Sequence, residues 1–281
     1  MLMEKITRDI NGEYISSRSV VYVGEKSCIK SLTPLSGSHL RCACLCANKC
    51  KEIEQEFIDG NTTQKESDLF QEDMAYSIGA IMASVAFLES TINEFFQEFF
   101  YKFDNLTINK SYWMDLKTKW DEDAGKIQKM KKTLADKYGY SNKEIGDQSE
   151  LITKYEIAHQ ILFNKQLDKS CDACVDFENL IHLRNQLVHF KLKWQTTHPE
   201  EEDLYIMRLR FENKFKKNVF MEKSGNCYFP DKCLGAGCAE WSIFVSTKFL
   251  NLFSNTISKS GIDLLKPHIN RIIQEYSFSK T

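Results

Sequence analysis

From about Ser67 to Phe103 apolar residues recur at spacings of three and four, and Asp68 followed three residues later by Gln71 is a helix-start signal. A first long helix is therefore expected there. Its small residues Ala75, Gly79, Ala83 and Ala86 fall near one line and would let another helix approach closely. Further helices are expected at roughly 124–138, 150–167 and 172–195, separated by charged, glycine-containing intervals at 118–126 and 139–147. Residues 200–215, "EEEDLYIMRLRFENKF", begin acidic and turn basic, which suits the helix dipole; "YIMRLRF" would also fit a strand, and helix is favoured. A Gly/Asn/Pro-rich loop, "SGNCYFPDKCLGAG" (224–237), then leads to a helix beginning near Cys238 and another over 261–276.

The first 60 residues have a different pattern. The run "SVVYVG" (19–24) is β-branched and aromatic, "LTPLSGS" (32–38) is a breaker stretch, and four cysteines follow within nine residues. The expected organisation is a small N-terminal β or irregular appendage over 1–60, ahead of a helical domain over 61–281 with a cysteine-containing loop at 224–238. With 12 Gly and 4 Pro, the chain lacks the turn punctuation of a many-stranded sandwich or barrel, so the fold class is mostly α.

Composition narrows the function classes without choosing among them. The chain has 281 residues, 42% of them hydrophobic, so a sizeable core is within reach. Its formal charge of −2 means that nucleic acid would be met through local basic patches such as "KIQKMKK" (126–132) and "RFENKFKK" (210–217). The longest uncharged run, Met74 to Leu88, is shorter than the about 20 residues that span a bilayer, so it reads as a buried helix and no membrane is expected. Charge appears within a few residues of the N-terminus, where a signal peptide would carry its apolar core, so a cytoplasmic protein is expected.

Candidate chemistry concentrates in "LRNQLVHFKLKW" (183–194). If 175–192 is helical at about 100° per residue, Glu178, His182, Asn185 and His189 share a stripe about 60° wide. Leu180, Leu183 and Leu187 then make the opposite, core-facing side. Arg184 sits about 140° around from His189, among Ile181, Leu187 and Val188. A guanidinium there calls for a carboxylate such as Glu89 or for an anionic ligand, and Glu89, Asn93 and Glu94 are the polar residues of the first long helix best placed for it. A cleft would need a second element, either that helix or the same helix of a second subunit.

The segment "RNQLVH" (184–189) resembles the R-N-x-x-x-H form of the motif of HEPN domains, helical-bundle proteins that in many cases are metal-independent endoribonucleases of toxin–antitoxin and antiviral systems. The earlier helix "SVAFLESTINEFF" (84–96) is similar to the first core helix of several HEPN families, and "YFPDKCLGAGCAEW" (228–241) resembles a segment leading into a later helix in others. The resemblance covers roughly residues 67–258. It implies a HEPN-like antiparallel helical bundle that homodimerises to bring two Arg–His pairs into one cleft. Arg184, Asn185 and His189 would form the catalytic motif, with Glu89, Asn93 and His182 as supporting polar residues and no cofactor. Partners would be an RNA substrate and a cognate antitoxin or other partner protein. The alternative is a non-catalytic HEPN module that binds a nucleotide or RNA, or regulates through interaction.

The chemistry is physically coherent. RNA carries its own nucleophile, the 2′-hydroxyl, so cleavage needs a proton acceptor, a proton donor and positive charge against the developing phosphorane. An imidazole titrates near neutrality and can serve either proton role, while a guanidinium grips phosphate oxygens through two nitrogens. Asn185 would orient His189 or the ribose. The products would be a 2′,3′-cyclic phosphate and a 5′-hydroxyl.

Ten cysteines in a cytoplasmic chain argue against a disulfide framework. In "HLRCACLCANKC", Cys42, Cys44 and Cys46 alternate, which places them on one face of a strand with Cys50 and His39 close by. They are candidates for a zinc site, although three thiols on one strand face make poor tetrahedral geometry, and small core residues are the plainer reading. Cys171-x-x-Cys174 is a true C-x-x-C at a helix start, without the strand that precedes it in thioredoxin-like folds. Cys227, Cys233 and Cys238 read as buried or loop-stabilising thiols, with a site combining them with Cys171 and Cys174 left open.

Overall fold

The N-terminal residues form three antiparallel strands, β1 (Met3–Arg8), β2 (Tyr14–Val23) and β3 (Lys26–Leu32), side by side in chain order. Val20, at the centre of the β-branched run, sits in register with Met3 on one side and Ile29 on the other. The computed structural model describes residues 3–8, 14–23, 26–32, 34–61, 63–102, 150–163, 167–191, 202–257 and 267–278. Outside the sheet the described chain is overwhelmingly helical. The helix expected at 124–138 and the basic segment 126–132 lie outside the described residues.

Residues 36–60 part company with the expectation of a strand-bearing appendage. The cysteine cluster lies on a helix, α1 (Ser36–Asp59). The reason is the apolar set around it: Leu40, Ala43, Ala47, Cys50 and Ile53 recur every three or four residues and are all buried, a helical period that overrides the alternation of the cysteines. Gly60 ends α1 in the left-handed conformation (φ 67°), with its N–H bonded to the Phe57 carbonyl and that of Asn61 to the Glu56 carbonyl. Thus α1 belongs to the bundle core.

The first long helix is α2 (Glu66–Lys102), with Glu66 and Asp68 in its first turn. It runs against α1 for much of its length, and Cys46 of α1 faces Gly79, where an added Cβ would come within 3.1 Å of Sγ. Of the expected small-residue seam, Ala83 is buried, Gly79 and Ala86 are half-buried and Ala75 is exposed. By length and composition α2 could cross a membrane, but just over half of its most apolar window is buried inside the protein. Ile81, Phe87, Leu88 and Ile92 are fully buried there, each contributing about 1.5–3 kcal/mol by leaving water.

The remaining helices are α3 (Glu150–Phe163), α4 (Asp172–Val188), α5 (Glu202–Phe211), α6 (Ala236–Ile257) and α7 (Pro267–Phe278). Within the segment 200–215 helix is the right reading over Glu202–Phe211, with Arg208 and Arg210 in its last turn, and residues 212–215 turn away. α2 is the centre of the arrangement, packing against α1, α3, α4 and α6, while α6 also meets α1 and α4. At their junction Tyr155 of α3 is fully buried, its hydroxyl donating to the Leu88 carbonyl at 2.8 Å. Its ring meets Phe177, Phe249 and Phe253 edge-on at centroid distances of 5.7, 4.9 and 4.8 Å.

Carboxylates from neighbouring helices cap two helix starts. Glu94 of α2 accepts from the N–H groups of Leu35 and Ser36 and from the Ser36 hydroxyl, each at 2.8 Å. Glu54 of α1 accepts from the N–H of Ala236, the first residue of α6, at 2.8 Å. These side-chain oxygens satisfy orphan donors at the two helix starts.

Candidate functional site

α4 carries the motif and is fixed at both ends. Cys171 caps its start in extended conformation (φ −72°, ψ 145°), Sγ accepting from the N–H of Cys174 at 3.4 Å. His189 caps its end, the backbone N–H donating to the Asn185 carbonyl at 2.9 Å. Between the caps, Phe177, Leu180, Ile181 and Leu183 are buried against the bundle. Glu178 and His189 are exposed while His182 and Asn185 are half-buried, so the polar stripe forms as its spacing requires.

Arg184 takes the other side of α4. It is half-buried, with Leu180 and Ile181 a turn before it and Leu187 a turn after. Its Nε is buried and meets no hydrogen-bond acceptor among the described residues. Arg184 and His189 therefore lie on different faces of one helix and do not form a single intramolecular pocket by themselves.

The carboxylate partner expected for Arg184 is engaged elsewhere. Glu89 Oε1 lies 3.3 Å from Nζ of Lys154, and Asn93 Oδ1 accepts from the same ammonium at 3.0 Å. Lys154 reaches them from α3 with its own side chain 9% exposed. Glu94 is committed to the start of α1. Within one protomer these polar residues of α2 serve α3 and α1. Lys154 was missed, although a lysine within "ELITKYEIAHQILF", an apolar helix, is a signal that a buried cation has a built partner set.

α5 and the turn after it cover part of the polar side of α4. Arg210 Nη1 donates to Asn179 Oδ1 at 3.1 Å, and Lys214 Nζ pairs with Asp176 Oδ1 at 2.8 Å. Burial first, and the charge of Arg210 second, hold the His182 imidazole below the ordinary histidine range. His182 is favoured neutral beside a cation. Lys217 and Arg208 share Glu212, at 3.0 and 2.7 Å, so much of the basic segment 210–217 is tied down within the fold. At the far end of α4, Phe190 is 46% exposed, its ring 6.2 Å from that of Phe229.

The zinc candidates do not converge. On helix α1, Cys44 points about 160° away from Cys46, and the burial follows: Cys44 and Cys50 are buried, Cys46 is half-buried and Cys42 exposed. Cys50 donates instead to the Asp73 carbonyl at 3.3 Å. Among the described residues no three His, Cys, Asp or Glu side chains are grouped to hold a metal, so the strand-face reading of this cluster is corrected by its helical winding. Cys233 and Cys238 are buried in contact with each other, and the combined site with Cys171 and Cys174 does not form. No family model, curated protein or solved structure matches this chain.

Proposed function

We propose that the chain is a HEPN-type, metal-independent endoribonuclease acting as a homodimer, with Arg184, Asn185 and His189 as its catalytic motif. The observation that carries this reading is Arg184: a half-buried side chain on α4 whose Nε is buried and without an acceptor among the described residues. A buried donor left unmade costs about 1–3 kcal/mol, more when charged, so a phosphate oxygen is a physically fitting occupant. His189 is exposed at the end of the same helix, where an RNA 2′-hydroxyl or 5′-oxygen can reach it. Because the two side chains leave α4 on different faces, the reading requires a twofold dimer in which Arg184 of one protomer and His189 of its partner share a cleft.

In this mechanism the imidazole of His189 takes the 2′-hydroxyl proton or gives one to the leaving 5′-oxygen. Arg184 holds the phosphorane charge, and Asn185 orients the imidazole or the ribose. Toxin–antitoxin or antiviral defence is the setting in which such an activity would be held in check by a partner protein, and the cytoplasm is where its RNA would be met.

The test is cleavage of labelled tRNA and mRNA by purified protein in excess EDTA, with end-group analysis, for the wild type and His189→Ala. Cyclic-phosphate ends made by the wild type and lost in the variant are expected. If folded, dimeric wild type cleaves no better than the variant over a broad RNA panel, the nuclease reading fails. The Arg184 side chain would then belong to a module that binds a nucleotide or a partner without cutting.

A further inference from the structure

The start of α4 carries a second chemistry that the nuclease reading does not use. Cys171 is the N-cap and Cys174 the third helical residue, the same turn on which the backbone N–H of Cys174 reaches Cys171 Sγ at 3.4 Å. The two thiols are in hydrogen-bonding contact, and both are free. Their environments differ sharply: Cys171 is half-exposed, whereas Cys174 is 3% exposed under the bundle. Cys171 is the thiol that a small disulfide in solution can reach, and a sealed neighbour one turn on can attack a disulfide formed on it.

We propose that Cys171 and Cys174 are a redox-active dithiol that exchanges with low-molecular-weight disulfides of the glutathione class, Cys171 being the attacking and Cys174 the resolving residue. In the first step the Cys171 thiolate attacks one sulfur of glutathione disulfide, forming a mixed disulfide and releasing one glutathione thiolate. In the second, the Cys174 sulfur attacks Cys171 Sγ, closes the intramolecular disulfide and releases the second glutathione thiolate. The two protein thiols are oxidised, one glutathione disulfide is reduced, and the two thiol protons end on the two glutathiones. Cys174 is sealed from glutathione disulfide by its burial, so Cys171 makes the first attack, and Cys174 gives up its proton to the departing glutathione as it attacks Cys171 Sγ.

This inference is independent of the nuclease reading. It is tested on the full chain in glutathione buffers of graded oxidised-to-reduced ratio, quenched by alkylation and mapped by peptide mass spectrometry. The wild type is expected to form a disulfide between Cys171 and Cys174 at the oxidising end, fully reversed by dithiothreitol. Cys174→Ser should instead accumulate a glutathione adduct on Cys171, and Cys171→Ser should lose the adduct and the disulfide together. Serine is itself a favourable N-cap, so the second variant keeps its helix start, and circular dichroism checks that it does. Both thiols remaining alkylatable across the whole series in folded wild type would overturn the proposal. So would a Cys171 adduct that Cys174 never resolves, or equal modification of Cys174 in Cys171→Ser.

Discussion

Asn218 Nδ2 donates to Asp73 Oδ2 at 2.7 Å, joining the loop after α5 to the second turn of α2, with both residues fully buried. The same amide donates to the Leu234 carbonyl at 2.6 Å, and its oxygen accepts from the N–H of Phe220 at 2.9 Å. One side chain therefore ties α2, the start of the loop and the approach to α6.

Replacing Asn218 by Leu keeps the branched shape of the side chain, at a larger volume, and removes every one of these bonds. A buried carboxyl, a carbonyl and an N–H then lose partners, and a loss of about 2–4 kcal/mol is expected. Urea unfolding monitored by circular dichroism measures it. A change below about 0.5 kcal/mol would mean that water replaces the amide, and would sink the idea that Asn218 holds the loop.

The Asp73 carboxyl has a second consequence, in pH dependence. Burial pushes Asp73 up to about 8 and Glu54, which caps α6, up to about 7, each raised further by a neighbouring carboxylate. In the unfolded chain both ionise near pH 4, so between about pH 4 and 8 the folded protein keeps protons that the unfolded chain has lost. The associated stability is complete below that window and falls as pH rises through it. Glu212 works in the opposite sense at the acid end: a hydrogen bond from Arg208 holds it down to about 2, and its contribution vanishes as pH falls toward that value. Urea midpoints should therefore be higher at pH 5 than at pH 8, and Asp73→Asn should flatten the difference. A flat or rising profile from pH 5 to 8 would show that these carboxyls are hydrated.

The outline of the bundle was legible in the sequence because α2, α4 and α6 carry apolar periodicity and clear breakers, whereas α5 was read as helix from the order of its charges. α1 was not, because Cys42, Cys44 and Cys46 alternate like a strand face while the buried set of Leu40, Ala43, Ala47 and Ile53 reads less conspicuously. The polar stripe of α4 followed from helix geometry alone. The partners of its charges did not: Lys154 claims Glu89 and Asn93, and Lys214 claims Asp176, pairings set by how helices distant in sequence meet. Likewise, nothing local in "NKFKKNVF" announced that Asn218 would be the buried hub of the loop.

Gly237 offers a sharper steric test. A Cβ built there would sit 2.5 Å from the Lys216 carbonyl oxygen and 2.9 Å from the Lys216 nitrogen, so backbone must move to admit it. Gly237→Ala would gain helix propensity of about 1 kcal/mol in an open helix, and here it should instead destabilise by about 2 kcal/mol or more. Thermal denaturation separates the two signs at once. A raised melting temperature would show that the 216–237 contact yields without cost.

Glu94 connects the sequence-stretch 34–36 to α2 through three hydrogen bonds to one carboxylate. Glu94→Ala leaves two backbone donors at the start of α1 without their acceptor, and a loss of about 1–2 kcal/mol is expected. Because α1 is a core helix, amide exchange in its first turn should accelerate before global unfolding does. Unchanged protection of residues 36–40 would show that solvent replaces the carboxylate fully.

Arg184→Met separates a residue retained for structure from one retained for function. Methionine keeps most of the length of the arginine stem on this half-buried position of α4, and it removes a guanidinium whose Nε finds no acceptor among the described residues. A structural arginine, paired and satisfied, would cost about 3–5 kcal/mol when its charge was removed and its partner stranded. Here no stranded partner is expected, so stability should stay within about 1 kcal/mol of the wild type or rise. RNA cleavage, if Arg184 binds the scissile phosphate, should fall by about 100-fold or more. Chemical denaturation and the cleavage assay on the same preparation give both numbers. A large loss of stability would return Arg184 to the core, whereas unchanged cleavage by a stable variant would remove it from the site.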